Sequence, residues 1–75
     1  MTRKIKKNKL YRHFKGHIYE VLEFAKDSND LSWVVVYQNV DTKEIWVRNY
    51  EEFNSLVDKN KYPDVVQKYR FMEID

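Results

Sequence analysis

The chain has no cysteine, one glycine and one proline among its 75 residues. The lack of cysteine excludes both a disulfide and a thiolate-bound metal. The scarcity of glycine and proline argues against a linker or a disordered tail in the body of the chain. The longest apolar run covers residues 33–37, far short of the ~20 residues that span a bilayer. No apolar run follows the charged N-terminus as in a signal peptide, so we expect a cytoplasmic protein with no membrane partner.

Aromatic residues are abundant: two Trp, six Tyr and four Phe make up 16% of the chain. A domain of this length buries only about 60% of the surface that its unfolded chain exposes, so its stability margin is thin. Each aromatic ring buries roughly 150–250 Å², which lets a few residues build a core. Self-association would add buried area, and a homo-oligomer is therefore among the partners considered.

The pattern of apolar and polar residues predicts a mainly β domain with one short helix. Strand-like segments occupy residues 10–14, 17–26, 31–40, 44–48 and 65–74, although a helical turn over 64–68 competes with the last of them. Asn49 and Glu52 form a helix cap pair, and apolar residues at spacings of three and four extend this helix to about residue 58. A small, strongly bent antiparallel sheet that rolls towards an SH3-like barrel is the natural packing of these elements.

Two positions predict specific backbone features. Gly16, the only glycine, follows the first strand in a turn, where either a positive φ or the close approach of another backbone is expected. The alternation of the second strand breaks near Val21 and Leu22, which predicts a β-bulge at that point.

Five short motifs mark the chain between residues 10 and 71. They are R-H-F-K-G at 12–16, Y-x-V-L at 19–22, V-V-Y at 35–37, W-V-R at 46–48 and a downstream phenylalanine, Phe53. As a set they resemble the DUF1653 family of small bacterial and phage proteins. The resemblance implies a single family domain over residues 10–75, and it implies no activity. The chain departs from the family pattern at residues 27–30, where many members have His and Thr or Ser.

The residue inventory argues against catalysis. Ser28, Ser32 and Ser55 lie in turn, strand and helix positions that do not indicate a nucleophile beside an oriented histidine. His13 and His17 lack further His or Cys partners at metal-ligand spacing. One glycine cannot make a phosphate-cradling loop. We therefore expect a binding protein that is not an enzyme and that has no metal and no cofactor.

Trp46 and Arg48 are the leading candidates for contact with a ligand. They project from one face of the fourth strand, and Ile45 and Val47 on the other face are expected to lie in the core. Guanidinium groups match phosphate and flat rings stack on bases, so an anionic nucleotide-like small molecule is the first hypothesis. The candidate ligand-binding residues are Arg12, His13, Lys15, Tyr19, Tyr37, Trp46 and Arg48. In the alternative interpretation, Trp46 only covers the sheet and Arg48 pairs with Glu44 or with an acidic residue of the helix.

A basic N-terminus predicts a second class of function. Residues 1–9 are expected to form a flexible arm, whose cations are Arg3, Lys4, Lys6, Lys7 and Lys9. These cations could follow a nucleic-acid backbone, or they could simply keep the terminus solvated. A module that binds a protein partner is the third class. The first class, a module that binds a nucleotide-like ligand, would suit a phage-type sponge for a nucleotide signal or an inhibitor of a host factor.

Overall fold

A computed structural model describes residues 3–74 as one antiparallel sheet with a single helical turn. The elements in chain order are β1 (Leu10–His13), β2 (Ile18–Lys26), β3 (Trp33–Asn39), β4 (Ile45–Asn49), α1 (Tyr50–Phe53) and β5 (Phe71–Glu73). The strand order is β4-β3-β2-β1-β5, so the prediction of a mainly β domain with one short helix is confirmed. β4 and β5 lie at opposite ends of this order, and closure into an SH3-like barrel stays a prediction. Within residues 3–74, no helix has the length and apolar character to cross a membrane.

The β1–β2 turn depends on the only glycine. The amide of Gly16 donates to the carbonyl of His13 at 2.7 Å, and the amide of His13 donates to His17 at 2.8 Å. In this tight turn Gly16 has a φ of 104°, a value that residues with a side chain rarely adopt. The prediction of a positive φ is confirmed.

The other two hairpins share one turn geometry. Each begins with an Asp or Asn whose side-chain oxygen accepts a backbone amide two residues later, at 2.8 Å for both Asp27 and Asn39. Each ends with a non-glycine residue at positive φ, namely Leu31 at 62° and Lys43 at 67°. The second of these loops fixes how β4 pairs with β3, because the amide of Asn39 donates to the carbonyl of Glu44 at 2.9 Å.

The predicted bulge in β2 is confirmed. Val21 lies opposite Tyr37 whereas Glu23 lies opposite Val36, so Leu22 is an extra residue in the ladder. The shift in phase lets residues on both sides of the bulge face the core.

Aromatic rings form the centre of the core. The rings of Phe53 and Phe71 stack with centroids 4.0 Å apart and planes 5° apart, and both side chains are buried. Tyr11 and Tyr37 meet Phe53 edge-on, at 5.7 and 5.2 Å. Phe53 comes from α1 and Phe71 from β5, so this stack joins the helix to the far end of the sheet.

The helix and the last strand are both shorter than predicted. α1 ends at Phe53, and the chain then extends so that Leu56 bridges to Tyr69. The predicted stripe fails at Leu56, which is exposed, whereas Val57 is buried. Asn54 caps the end of the helix, and its buried side-chain amide donates to the carbonyl of Arg3 at 2.8 Å. β5 covers three residues rather than 65–74.

The N-terminal segment packs against the domain over residues 3–9, in contrast to the expected separate arm. Ile5 is 5% exposed and belongs to the core. Its amide donates to the Tyr50 hydroxyl at 3.0 Å, and the amide of Lys6 donates to the Tyr11 hydroxyl at 2.9 Å. Residues 3–9 therefore pack as part of the domain, although the sequence predicts that the domain begins at residue 10. The predictions for residues 1, 2 and 75 lie outside the described residues.

Candidate functional site

The register of β4 on β3 decides which side chains face inward. Trp46 lies opposite Tyr37 and Arg48 lies opposite Val35, and both of these β3 residues are buried. Residues directly opposite each other share a face of the sheet. Trp46 and Arg48 therefore lie on the inner side, although Trp46 at the sheet edge remains 49% exposed.

The expected placement of Ile45 and Val47 in the core is wrong. They lie on the outer face, opposite Gln38 and Val36, and are 60% and 65% exposed. Both faces of β4 carry apolar side chains, so polarity alone does not determine the inner face. The loop that joins Asn39 to Glu44 sets that choice.

Several of the candidate ligand-binding residues meet at the inner side of the sheet. The rings of Tyr19 and Tyr37 lie 5.2 Å apart, and each also contacts Phe71 edge-on. The Nε of Arg48 donates to the Tyr37 hydroxyl at 3.3 Å, and its guanidinium carbon lies 6.0 Å from the Phe71 ring centroid. We call this the aromatic–arginine face. Its members are His13, Tyr19, Tyr37, Trp46, Arg48 and Phe71, and Arg70 lies at its margin, near His13.

His13 reports the electrostatic character of this face. Its ring stacks on Phe14 and contacts Phe71 edge-on at 4.9 Å. Burial and, to a lesser extent, the nearby Arg48, Arg70, Lys15 and His17 together lower the pKa of His13 from 6.5 to about 4. Since Arg48, Arg70 and Lys15 are cationic, the potential around the imidazole is positive.

Arg70 was not a candidate from the sequence. Its Nε donates to the Ser55 hydroxyl at 3.2 Å. It directly precedes the buried Phe71, and only the pairing of β5 with β1 brings it near His13.

The arginines of this face have no carboxylate partner among residues 3–74. The ion pairs in this part of the chain are Lys6–Glu73 and Lys7–Glu23. The alternative in which Arg48 pairs with Glu44 or with a helix acid is therefore not what the described residues form. Arg48 is therefore held beside aromatic rings without an ion pair in residues 3–74, and Asp27, Asp30 and Glu52 line the same cleft as Arg48.

Two candidates do not join the face. Arg12 pairs with Ile18 and Met72 on the opposite side of the sheet. Lys15 lies in the β1–β2 turn, where its Nζ is 5.7 Å from the ring centroid of Tyr62. It contributes charge near His13 but no contact with the aromatic centre.

Most cations of the N-terminal segment are already engaged. The guanidinium of Arg3 stacks on Tyr69 at 3.9 Å and donates to the carbonyl of Phe71. Lys6 and Lys7 pair with Glu73 and Glu23, at 3.6 and 3.1 Å. Lys4 and Lys9 are the exposed cations that remain.

A separate groove of about 820 Å³ lies between the N-terminal segment and the start of β3. Its apolar lining comes from Ile5, Phe24, Trp33 and Tyr50. The Nζ of Lys26 lies 4.7 Å from the Trp33 ring centroid. The sequence did not indicate this groove, because one of its walls is the segment that was expected to be flexible.

The fold is that of a small mainly β domain in which Arg48 and His13 lie against the aromatic core. The family model described as "Protein of unknown function (DUF1653)" matches residues 9–73. The chain belongs to the DUF1653 family, and the resemblance carried by its motifs is confirmed. Neither a curated protein nor a solved structure gives a match.

Proposed function

We propose that this protein is a non-catalytic binding module that holds a flat, anionic, nucleotide-like ligand on the aromatic–arginine face. The observation that carries the proposal is that Arg48 lies beside the Tyr37 and Phe71 rings, and that neither Arg48 nor Arg70 forms an ion pair within residues 3–74. Guanidinium groups recognise phosphate through parallel N–H donors. A guanidinium that is already held in place loses less conformational entropy when the ligand binds.

Each side chain has a distinct role in this proposal. Arg48 presents its terminal amino groups to the phosphate while the Tyr37 hydroxyl holds its Nε. Trp46, exposed at the edge of the sheet, supplies a face for stacking against a base. The ligand's negative charge also offsets the positive potential that Arg48 and Arg70 create near His13.

Nucleic-acid binding through the N-terminal segment is the less favoured alternative. Arg3, Lys6 and Lys7 are bound to the protein itself, which leaves Lys4 and Lys9 for phosphates. Affinity for a duplex or single strand falls with salt in proportion to the number of phosphates contacted. A steep fall with salt, lost in the Lys4→Gln/Lys9→Gln variant, is the result that would favour this alternative.

Adenosine 5′-monophosphate is a suitable probe for the proposed site. We expect Arg48→Ala to weaken its binding about tenfold or more and Trp46→Ala about fivefold or more, because a hydrogen bond to a charged group contributes roughly 1.5–3 kcal/mol and a stacked base roughly 1–3 kcal/mol. Titration calorimetry on the folded variants measures the effect. Adenosine without phosphate and inorganic phosphate without a base should each bind more weakly than the nucleotide.

Matched controls for this titration lie elsewhere on the same protein. Arg12→Ala removes a guanidinium from the opposite side of the sheet, and Trp33→Ala removes an exposed indole from the groove. Both should leave the affinity unchanged. Equal losses for Arg12→Ala and Arg48→Ala would contradict the proposed site.

His13 gives an independent test through pH. The folded protein resists protonation of His13 down to about pH 4, whereas the unfolded chain takes up the proton near pH 6.5. Relative to His13→Gln, wild-type protein should therefore lose stability as the pH falls from 6.5 to 4, with no such difference above 6.5. Urea unfolding across this range measures the difference, and the NMR titration of His13 should shift to higher pH when the nucleotide binds.

A further inference from the structure

β4 is an edge strand with apolar side chains on both faces. It lies at one end of the strand order, and Ile45, Trp46 and Val47 are all exposed. Exposed apolar edge strands pair readily with another strand, and most proteins block them with charge, proline or a covering segment.

The outward backbone groups of β4 follow from its ladder with β3. The hydrogen bond from Asn39 to Glu44 fixes the phase, and bonded pairs then recur at every second residue. Trp46 and Arg48 consequently bond to β3, while the amides and carbonyls of Ile45 and Val47 point away from the sheet. These are the groups that an added strand would use.

The opposite edge of the sheet is protected, in contrast to β4. β5 is three residues long, and the guanidinium of Arg3 donates to the carbonyl of Phe71. A short strand with a covered carbonyl is a poor template for pairing. The two edges therefore differ in their capacity to add a strand.

We infer that β4 pairs antiparallel with β4 of a second copy of this chain. In the register centred on Trp46, each Ile45 lies opposite a Val47, so outward-facing residues meet outward-facing residues. The same register places Glu44 of each copy opposite Arg48 of the other. A shift by two residues in either direction keeps the hydrogen bonds but separates these charges, so complementarity selects the centred register.

The order of the side chains along β4 is self-complementary, and this identifies a second copy of the chain as the partner. β4 and the residue before it carry an acid at one end, a base at the other and apolar residues between. In an antiparallel pair of two such strands, the acid of each lies opposite the base of the other. Such a contact is isologous and closes as a two-fold dimer without exposing a further edge. Arg48 has several N–H donors, so it can contact Glu44 of the second copy as well as an anionic ligand.

Sedimentation velocity over a range of protein concentrations tests the dimer. We expect wild-type protein to dimerise reversibly and Glu44→Arg to raise the dissociation constant about tenfold or more, because two attractive pairs become repulsive. The double variant Glu44→Arg/Arg48→Glu restores the opposite charges and should dimerise again. Val66→Arg introduces the same arginine side chain at an exposed position away from β4 and should have no effect.

Hydrogen exchange measures the contact directly in the full chain. Protection of the Ile45 and Val47 amides should increase with protein concentration, whereas that of the Trp46 amide should not. A wild-type monomer at all concentrations, or a dimer that Glu44→Arg leaves intact, would overturn the inference. The double variant separates this inference from the proposed function, since it should dimerise while losing nucleotide affinity.

Discussion

Replacing Phe53 with alanine is expected to lower the free energy of unfolding by about 3–5 kcal/mol. The side chain is 0% exposed and stacks on Phe71, with Tyr11 and Tyr37 against its edge. Alanine would leave a cavity between three rings that come from different strands. Because small domains have a total stability of roughly 5–15 kcal/mol, this one change removes a large share of it. Urea unfolding followed by circular dichroism measures the loss.

Leu56→Ala is the control for this measurement. Leu56 lies three residues after Phe53 and is exposed, so its truncation should change the stability by less than about 0.5 kcal/mol. Equal losses at the two positions would mean that the stripe predicted from the sequence, rather than the one-turn helix, describes this segment.

Replacing Ile5 with alanine is expected to lower the free energy of unfolding by about 2–5 kcal/mol. The sequence places Ile5 among lysines, but the structure buries it in the core. Lys4→Ala, one residue earlier and exposed, should be close to neutral. The same chemical denaturation measures both variants, and a neutral Ile5→Ala would show that residues 3–9 are indeed a detachable arm.

The Ile5 result also affects how nucleic-acid binding is tested. Deleting residues 1–9 would remove core packing as well as positive charge, so a loss of binding after deletion would not identify the contact. Neutral replacements at Lys4 and Lys9 remove charge and leave Ile5 in place.

Features that depend on a few neighbouring residues were predictable from the sequence. Gly16 marks the first turn because only glycine readily adopts its φ, and Asn39 marks another because its side chain caps its own turn. The broken alternation at Val21 and Leu22 is a local signal of the bulge. The aromatic contact between Tyr19 and Tyr37 follows from strands that neighbour each other in both sequence and space.

Features that depend on distant residues were not predictable. Trp46 faces inward because a loop sets the register of β4, and the spacing of apolar residues is the same in either orientation. Arg70 reaches the aromatic–arginine face only because β5 pairs with β1, at the other end of the chain. Ile5 is one apolar residue in a basic segment, and its burial requires a surface that the rest of the fold creates.

The contact of Arg3 with Phe71 has a consequence for how the chain acquires its structure. These residues are 68 positions apart in a chain of 75. During synthesis the first residues leave the ribosome long before their partners exist, and β1 lacks its β5 neighbour for the same period. Contacts of such high sequence separation slow folding, because most of the chain must be ordered before they form. The domain is therefore completed only after β5 has been released, because both β1 and Arg3 need it as a partner.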